Sequence, residues 1–254
     1  MNKQSYDFTG KVAIITGSTK GLGYGMAMLL AKNGADVVVN SRHNDDCEKV
    51  AEELRKIGRK VLAFSADVSK REQVEKMIDK TVECFGRIDI LVNNAGVGIT
   101  KSSFDVTEKE WDEVINIDLK GVFFTSQLAG RVMAKQKSGN IINIASLGGV
   151  ISSAKLVPYM AAKSGVIHMT KGLAVEWSKY NIRVNAVAPG YVPTPMTEPI
   201  LKDEKSYKIL TGLTPMRRLG EVEEIANVVM FLASDYSKYI TGETIIADGG
   251  RHTL

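Results

Sequence analysis

The chain is predicted to fold as a doubly wound α/β domain, one parallel sheet with helices on both faces. Three observations predict it. Short apolar runs alternate with longer stretches of helical period along the chain, which is the pattern of strands buried on both faces and joined by crossover helices. A glycine-rich turn stands at the first strand-to-helix junction, where such sheets bind phosphate. With 254 residues, 44% of them hydrophobic, and no Gly, Ser and Pro-rich linker, the chain can bury one large core. Residues 1–254 are therefore read as a single domain.

Taken in order, the run Lys-Val-Ala-Ile-Ile-Thr at 11–16 reads as the first strand and 21–33 as the helix leaving the glycine turn. Further strands are predicted at 36–40, which contains Val37-Val38-Val39, and at 60–65, 88–93, 140–145, 183–188 and 244–247, making seven. Helical spacing of apolar residues places helices at 44–57, 70–85, 107–137, 158–180 and 221–233. The rhythm breaks once. From Pro189 to Arg218 the chain carries Pro189, Pro193, Pro195, Pro199 and Pro215 over a mostly polar background, far longer than an ordinary connection at a strand's carboxyl end. Residues 190–218 are read as a substrate lid.

Formal net charge is +4, but the 33 basic and 29 acidic residues are interspersed, and Arg217-Arg218 is the longest basic pair of note. Nucleic acid is not an expected partner. Cys47 and Cys84 lack the C-x-x-C spacing of a zinc or redox site, which points to free thiols in a reducing compartment and to no metal. Met1 to Gly10 is polar, without the apolar core of a signal peptide, and no uncharged apolar run reaches ~18 residues. A soluble, cytoplasmic protein without a membrane partner is expected.

The turn reads Thr16-Gly17-Ser18-Thr19-Lys20-Gly21-Leu22-Gly23. Glycine is needed there where φ is positive or where a side chain would block a ligand, and the helix start offers N–H groups to an anion. A pyrophosphate fits that description. The Gly-x-x-x-Gly-x-Gly spacing differs from the commoner Gly-x-Gly-x-x-Gly dinucleotide fingerprint.

Tyr159 and Lys163 lie four apart on one predicted helix, with Ser146 one strand-to-helix connection upstream. Residues at i and i+4 share a helix face, so phenol and ammonium can face one cleft. A free phenol titrates near ~10 and is a poor acid or base at neutral pH, but a fixed cation beside it favours the phenolate. Such a pair can exchange protons. By itself the spacing also fits a half-buried Tyr beside a solvated Lys.

These glycines, Asn93-Asn94-Ala95-Gly96, Ser146, Tyr159-x-x-x-Lys163 and Pro189-Gly190 stand in order after successive strands. In this the chain resembles the short-chain dehydrogenase/reductases, with a Rossmann-type fold, over nearly its whole length. The resemblance implies Tyr159 as general acid or base. It implies Lys163 as the cation that supports Tyr159 and holds the nicotinamide ribose, and Ser146 as the hydrogen-bond partner of the substrate oxygen. It further implies that Gly17, Ser18, Thr19, Lys20, Gly21, Leu22 and Gly23 bind the pyrophosphate end. Asp67 and Val68 would meet adenine, Asp67 also being able to cap the helix that follows. Asn94 and Gly96 fall beside the adenine ribose, although one of the paired asparagines is better read as bonding the sheet's own main chain. Pro189, Gly190, Val192 and Thr194 fall near the carboxamide.

Enzymes of this type that select NAD place a carboxylate at the end of the second strand, where it bonds the ribose 2′-hydroxyl. Here that strand ends Asn40-Ser41-Arg42, and the glycine turn supplies Lys20. A hydroxyl and two cations suit a 2′-phosphate, so NADP is the expected cofactor, with NAD possible; Arg42 and Lys20 could also be ordinary solvated residues.

One position departs from the family pattern. Three residues before Gly121, where most members carry asparagine, stands Asp118. The family's asparagine bonds a main-chain carbonyl and helps seat a water that relays protons through the lysine. An ionised Asp118 would raise the basicity of Lys163, and a protonated one would mimic the amide as a donor. Asn116, two residues earlier, lies roughly 200° round the helix, so Asp118 is taken as the altered fourth member of the catalytic group.

The resemblance implies hydride transfer between a nicotinamide and a carbonyl or carbinol carbon. Two branches of the family are close, the sugar-acid dehydrogenases of the gluconate 5-dehydrogenase kind and the 3-oxoacyl-carrier-protein reductases. Asp118 favours the first. The basic pair expected of carrier-protein reductases is half missing, with Lys137 and Tyr180 at the matching positions. A polyol or sugar acid is the expected substrate, with a general carbonyl reductase and a non-catalytic cofactor-binding regulator as alternatives. Lys101, Lys155, Tyr191 and Met196 are candidate pocket residues. Phe123, Phe124, Leu128, Val132, Val166, Ile167, Met169, Leu173 and Val175 give the helices at 107–137 and 158–180 apolar residues on more than one face. With the resemblance, that surplus implies a homotetramer.

Overall fold

The structure, a computed structural model, describes residues 6–254; Met1–Ser5, part of the polar stretch read against a signal peptide, lies outside the described residues. Among the described residues seven strands form: β1 (Val12–Ile15), β2 (Asp36–Ser41), β3 (Val61–Ser65), β4 (Ile90–Asn93), β5 (Gly139–Ile144), β6 (Ile182–Pro189) and β7 (Thr244–Ala247). All pair in parallel, in the order β3-β2-β1-β4-β5-β6-β7. The order reverses between β1 and β4, and the crevice beyond the strands' carboxyl ends at that reversal is where doubly wound sheets take ligands.

The helices are α1 (Gly21–Lys32), α2 (Asn44–Lys56), α3 (Arg71–Phe85), α4 (Glu108–Ile115), α5 (Val122–Gln136), α6 (Val157–Trp177), α7 (Glu198–Leu201), α8 (Glu204–Leu213) and α9 (Val222–Ala233). Strand residues alternate between faces. Ala13, Ile15, Val37 and Val39 join one apolar cluster with Met26 and Leu30 of α1, Leu54 of α2 and Val229 of α9. Their neighbours Ile14 and Val38 join the other, with Met77 of α3, Met133 of α5 and Leu173 of α6. One doubly wound domain results, as predicted.

Three expectations need correction. The helix predicted over 107–137 is not continuous: a π-helical segment, Asn116–Gly121, separates α4 from α5. Gly121 explains the departure, because a Cβ there would lie 2.9 Å from the Val68 carbonyl oxygen and 3.2 Å from that of Asn116. Without a side chain the backbone can press against the β3–α3 connection, and π segments of this kind often mark functional positions. Second, α6 ends at Trp177, and 178–180 form a 3-10 turn closed by Asn181 in the left-handed region (φ 59°). Third, the predicted set of helices lacks two members, α7 and α8, which lie within the segment 190–218.

The apolar surplus on the long helices narrows in the structure. Leu128, Val166 and Leu173 are buried, and Phe123, Val132, Ile167 and Met169 pack against the core. Phe124 stacks edge-on with Phe123 and lies beneath the Arg71 guanidinium. Val175, at 81% exposed, is the member left facing outward.

Candidate active site

A cleft of about 620 Å³ opens at the carboxyl ends of the strands. In its lining, Gly17 and Gly21 take φ of +63° and +56°, which L side chains rarely adopt. A Cβ on Gly17 would lie 2.9 Å from the Ala95 Cα, and one on Gly21 would lie 3.3 Å from the Thr194 Cβ. The extended Lys20 precedes α1 and provides no side-chain cap, so the helix's first N–H groups face the cleft uncapped. An anion on a slender pyrophosphate fits this cradle.

Thr19, Lys20 and Leu22 line the cleft with these glycines, but Ser18 and Gly23 stand behind the turn. Ser18 is fully buried; its N–H donates to the Asn40 carbonyl at 2.9 Å and its Oγ accepts the Asn40 N–H at 3.0 Å. A Cβ on Gly23 would overlap the Gly17 carbonyl oxygen and come 2.5 Å from Asn94 Nδ2. Both residues shape the turn rather than face a ligand. Asn94 Nδ2 donates to the carbonyls of Thr16 (2.9 Å) and Gly17 (3.0 Å), bracing the same turn from β4. Asn93 is also occupied, donating to Ser126 Oγ and Asn143 Oδ1, both at 2.8 Å.

Beyond β2 the wall is formed by Ser41, Arg42, His43 and Asp46, with Asp67 and Val68 beyond β3. Ser41 Oγ accepts the His43 N–H at 3.2 Å, donates to its carbonyl at 3.0 Å and sits 3.3 Å from Cys47 Sγ, so this hydroxyl is committed to the turn. Among the described residues, Arg42 and Lys20 have no ion-pair partner. Asp46 was not foreseen as a wall residue. It lies in the first turn of α2, where negative charge suits the helix dipole. Asp67 accepts the Ser69 N–H at 2.9 Å, closing a turn before α3 rather than capping it.

Ser146, Tyr159, Lys163 and Asp118 all line the cleft. Pro158 in the first turn of α6 preorganises its start, and the 3-10 turn Leu147–Gly149 after β5 packs on that helix. The fit is close because Gly149 has no Cβ to meet the Lys163 carbonyl, 3.0 Å away, and Ser164 Oγ donates to the Gly149 carbonyl at 3.1 Å. Gly148 lies between Ser146 and Tyr159, and its N–H donates to Ser146 Oγ at 3.1 Å. Lys163 Nζ donates to the Ile144 carbonyl at 3.0 Å and lies 5.6 Å from the centre of the Tyr159 ring.

Asp118 comes from the π segment and is fully buried, and Asn116 does not reach the cleft. Its Oδ1 accepts the Val97 N–H at 2.8 Å, and Oδ2 lies 3.2 Å from Lys163 Nζ without a hydrogen bond of its own. Gly96 makes room for that oxygen, since a Cβ there would approach it to 2.8 Å. Burial pushes the Asp118 carboxyl up, against the opposing pull of Lys163 and the Val97 N–H. Burial also pulls the Lys163 ammonium down, but Asp118 and Tyr159 outweigh it and hold Lys163 above the usual lysine value. The two groups titrate as one coupled pair.

On the far side Pro189, Gly190, Tyr191, Val192, Thr194 and Met196 line the cleft, while Lys101 and Lys155 do not. Lys101 is instead paired with both Glu110 carboxylate oxygens at 2.9 Å. The cation that does reach this side is Arg251, which sequence reading missed. The available signal was its place just after the last parallel strand, because every such strand ends at the same cleft.

Residues 17–252 match the family described as enoyl-(acyl carrier protein) reductase, of the short-chain alcohol dehydrogenase type. The chain belongs to the short-chain dehydrogenase/reductase family, and it is an oxidoreductase acting on alcohol and ketone groups. It is 41% identical over 241 residues to a 3-oxoacyl-[acyl-carrier-protein] reductase of Thermotoga maritima, covering 95% of this chain and 97% of the relative. It is 39% identical over 247 residues to a 2-dehydro-3-deoxy-D-gluconate 5-dehydrogenase of Escherichia coli, covering 97% of each. A gluconate 5-dehydrogenase from Burkholderia cenocepacia, solved in complex with NADP and tartrate, superposes with a TM-score of 0.95 at 34% identity, covering 98% of this chain and 97% of that one.

Proposed function

We propose that the protein is an NADP(H)-dependent oxidoreductase that interconverts a secondary alcohol and a ketone on a polyol or sugar acid. The observation that carries this reading is the convergence of Ser146, Tyr159 and Lys163 on one cleft with the uncapped start of α1. Gly17, Thr19, Lys20, Gly21 and Leu22 hold the pyrophosphate. Lys20 and Arg42 receive the 2′-phosphate, Asp67 and Val68 bound the adenine, and Asn94 and Gly96 border its ribose. Pro189, Gly190, Val192 and Thr194 border the carboxamide. When bound, the nicotinamide supplies or accepts the hydride.

The chain's own residues handle the proton. Ser146 Oγ orients the substrate oxygen, and Tyr159 Oη passes a proton to it or takes one from it. The Lys163 ammonium, fixed by Ile144 and Asp118, stabilises the phenolate that remains and steadies the ribose. Residues 190–218 close over the substrate, with α7 and α8 as the moving wall. A homotetramer in the cytoplasm is the expected working form, resting on family likeness and, in the chain, on the outward Val175.

A second reading, reduction of a 3-oxoacyl thioester on a carrier protein, is favoured by the likeness to the Thermotoga relative. Turnover of oxoacyl thioesters in preference to polyols and sugar acids would select it. The test of the common mechanism is Tyr159→Phe. Turnover is expected to fall by at least about 10²-fold with NADP binding retained; undiminished turnover in a folded variant overturns the reading.

A further inference from the structure

The substrate side of the cleft carries apolar residues, several hydroxyls and one guanidinium. Met196, Ile200, Ile209 and Leu213 of the segment 190–218 line it together with Ile151 and Leu156 from the loop after β5. Arg251 enters from beyond the edge strand β7, on the other side of β1 and β4 from Arg42 after β2. Among the described residues its guanidinium has neither an ion pair nor a hydrogen bond. A guanidinium in the cleft lining, with its donors unused, is poised for a bidentate oxyanion.

Its position is held rather than accidental. The turn before it, Asp248-Gly249-Gly250, takes φ of +65° and +87° at the two glycines. Asp248, nearly buried, accepts the Gly250 N–H at 2.9 Å through Oδ1 and the His252 N–H at 2.7 Å through Oδ2, which also meets His252 Nδ1 at 2.9 Å. The turn is clamped to the end of the segment 190–218: Met216 N–H donates to the Gly249 carbonyl at 3.2 Å. A Cβ on Gly249 would come 2.7 Å from Thr214 Cγ2, and one on Gly250 would come 3.2 Å from Pro215 Cγ. Burial pushes the Tyr191 phenol up, the Arg251 charge opposes that and Tyr159 adds to it, so Tyr191 lies within electrostatic reach of both. A substrate whose reacting carbon lies at Tyr159 can extend past Tyr191 to Arg251.

We infer that Arg251 is the anchor for a carboxylate on the substrate, so that the enzyme acts on hydroxy and oxo acids in preference to neutral alcohols and ketones of the same skeleton. This rests on the oxidoreductase reading above and selects its acidic branch. As the lid closes and water leaves, the effective dielectric falls and the pairing strengthens.

The test compares matched probes that differ in charge: gluconate with sorbitol, and 3-oxobutyrate with its methyl ester. Binding of each to the NADP-loaded protein is measured by calorimetry, and kcat/KM by absorbance of the reduced cofactor. The wild type is expected to favour the acid in at least one pair. Arg251→Met lowers that acid-to-neutral ratio by about tenfold or more, through KM rather than kcat, and Arg251→Lys keeps part of it because the charge remains while the fork is lost. The inference is overturned if no pair shows an acid preference, or if the preference survives Arg251→Met in a variant that still binds NADP. Absence of turnover with every probe would instead remove the polyol or sugar-acid reading, leaving the calorimetric comparison to decide the role of Arg251.

Discussion

Asp118 Oδ2 lies 3.2 Å from Lys163 Nζ, with both side chains almost completely sealed from solvent. Removing charges from water costs several kcal/mol per ion, so neither would persist there without the other. Asp118 is among the groups that hold the Lys163 ammonium above its ordinary value. Asp118→Asn removes that support, Lys163 then loses its proton at lower pH, and the alkaline limb of the pH–rate profile moves toward lower pH. Profiles of wild type and variant measured with one substrate check this. Superimposable profiles would dismiss any special role for the carboxylate.

Arg42 and Asp46 beyond β2 and Lys20 of the glycine turn line the part of the cleft proposed for the 2′-phosphate. Charge-assisted contacts to a phosphate are strong, so Arg42→Ala should lower kcat/KM with NADP by roughly 10- to 100-fold while affecting NAD far less. Asp46→Asn should act in the opposite direction by removing a repulsive charge. Kinetics with both cofactors decide; a wild-type preference for NAD would discard the assignment.

Gly23 faces the turn's own backbone, not the cleft. Gly23→Ala is expected to cost about 1–3 kcal/mol or more through overpacking and to weaken NADP binding by displacing the Gly17 carbonyl and Asn94. Thermal unfolding and cofactor titration of the variant measure both effects, and an unchanged melting temperature would contradict the packing argument.

At the start of α4, Thr107 and Glu110 form a reciprocal capping box, and Lys101 is drawn onto Glu110. The Thr107 N–H, then Lys101 and the Thr107 hydroxyl, lower the Glu110 carboxyl from 4.5 to about 2. A depressed carboxyl contributes stability that is complete above its unfolded value and is lost as pH falls through its folded value. Hydrogen-exchange protection at the Thr107 and Glu110 amides should therefore decline between pH 4.5 and about 2. Thr107→Ala should cost about 1 kcal/mol at neutral pH. Protection that is flat across this window would refute the cap's contribution.

Local rules made much of the molecule legible. Strand and helix positions follow from period and β-α alternation, and the glycine turn follows from its place after β1. Tyr159 and Lys163 share a face because α6 turns every 3.6 residues, and Asp118 stood out against a motif of fixed spacing. Where two elements must fit each other, the sequence was silent. The π segment that carries Asp118 forms where Gly121 meets the Val68 carbonyl, a contact between positions more than fifty residues apart that no periodicity records. Ser18 and Gly23 share the glycine motif with Gly17 and Gly21, yet they face the protein because Asn40 and Asn94 arrive from β2 and from the end of β4 to claim that side. Arg251 reaches the substrate side only because β7 lies beside β6 and its terminal turn is locked against Thr214 and Pro215. Spacing along a chain determines which side chains share a face of one element; which faces then meet across a cleft is decided by close packing of the whole, where a single methyl group would not fit.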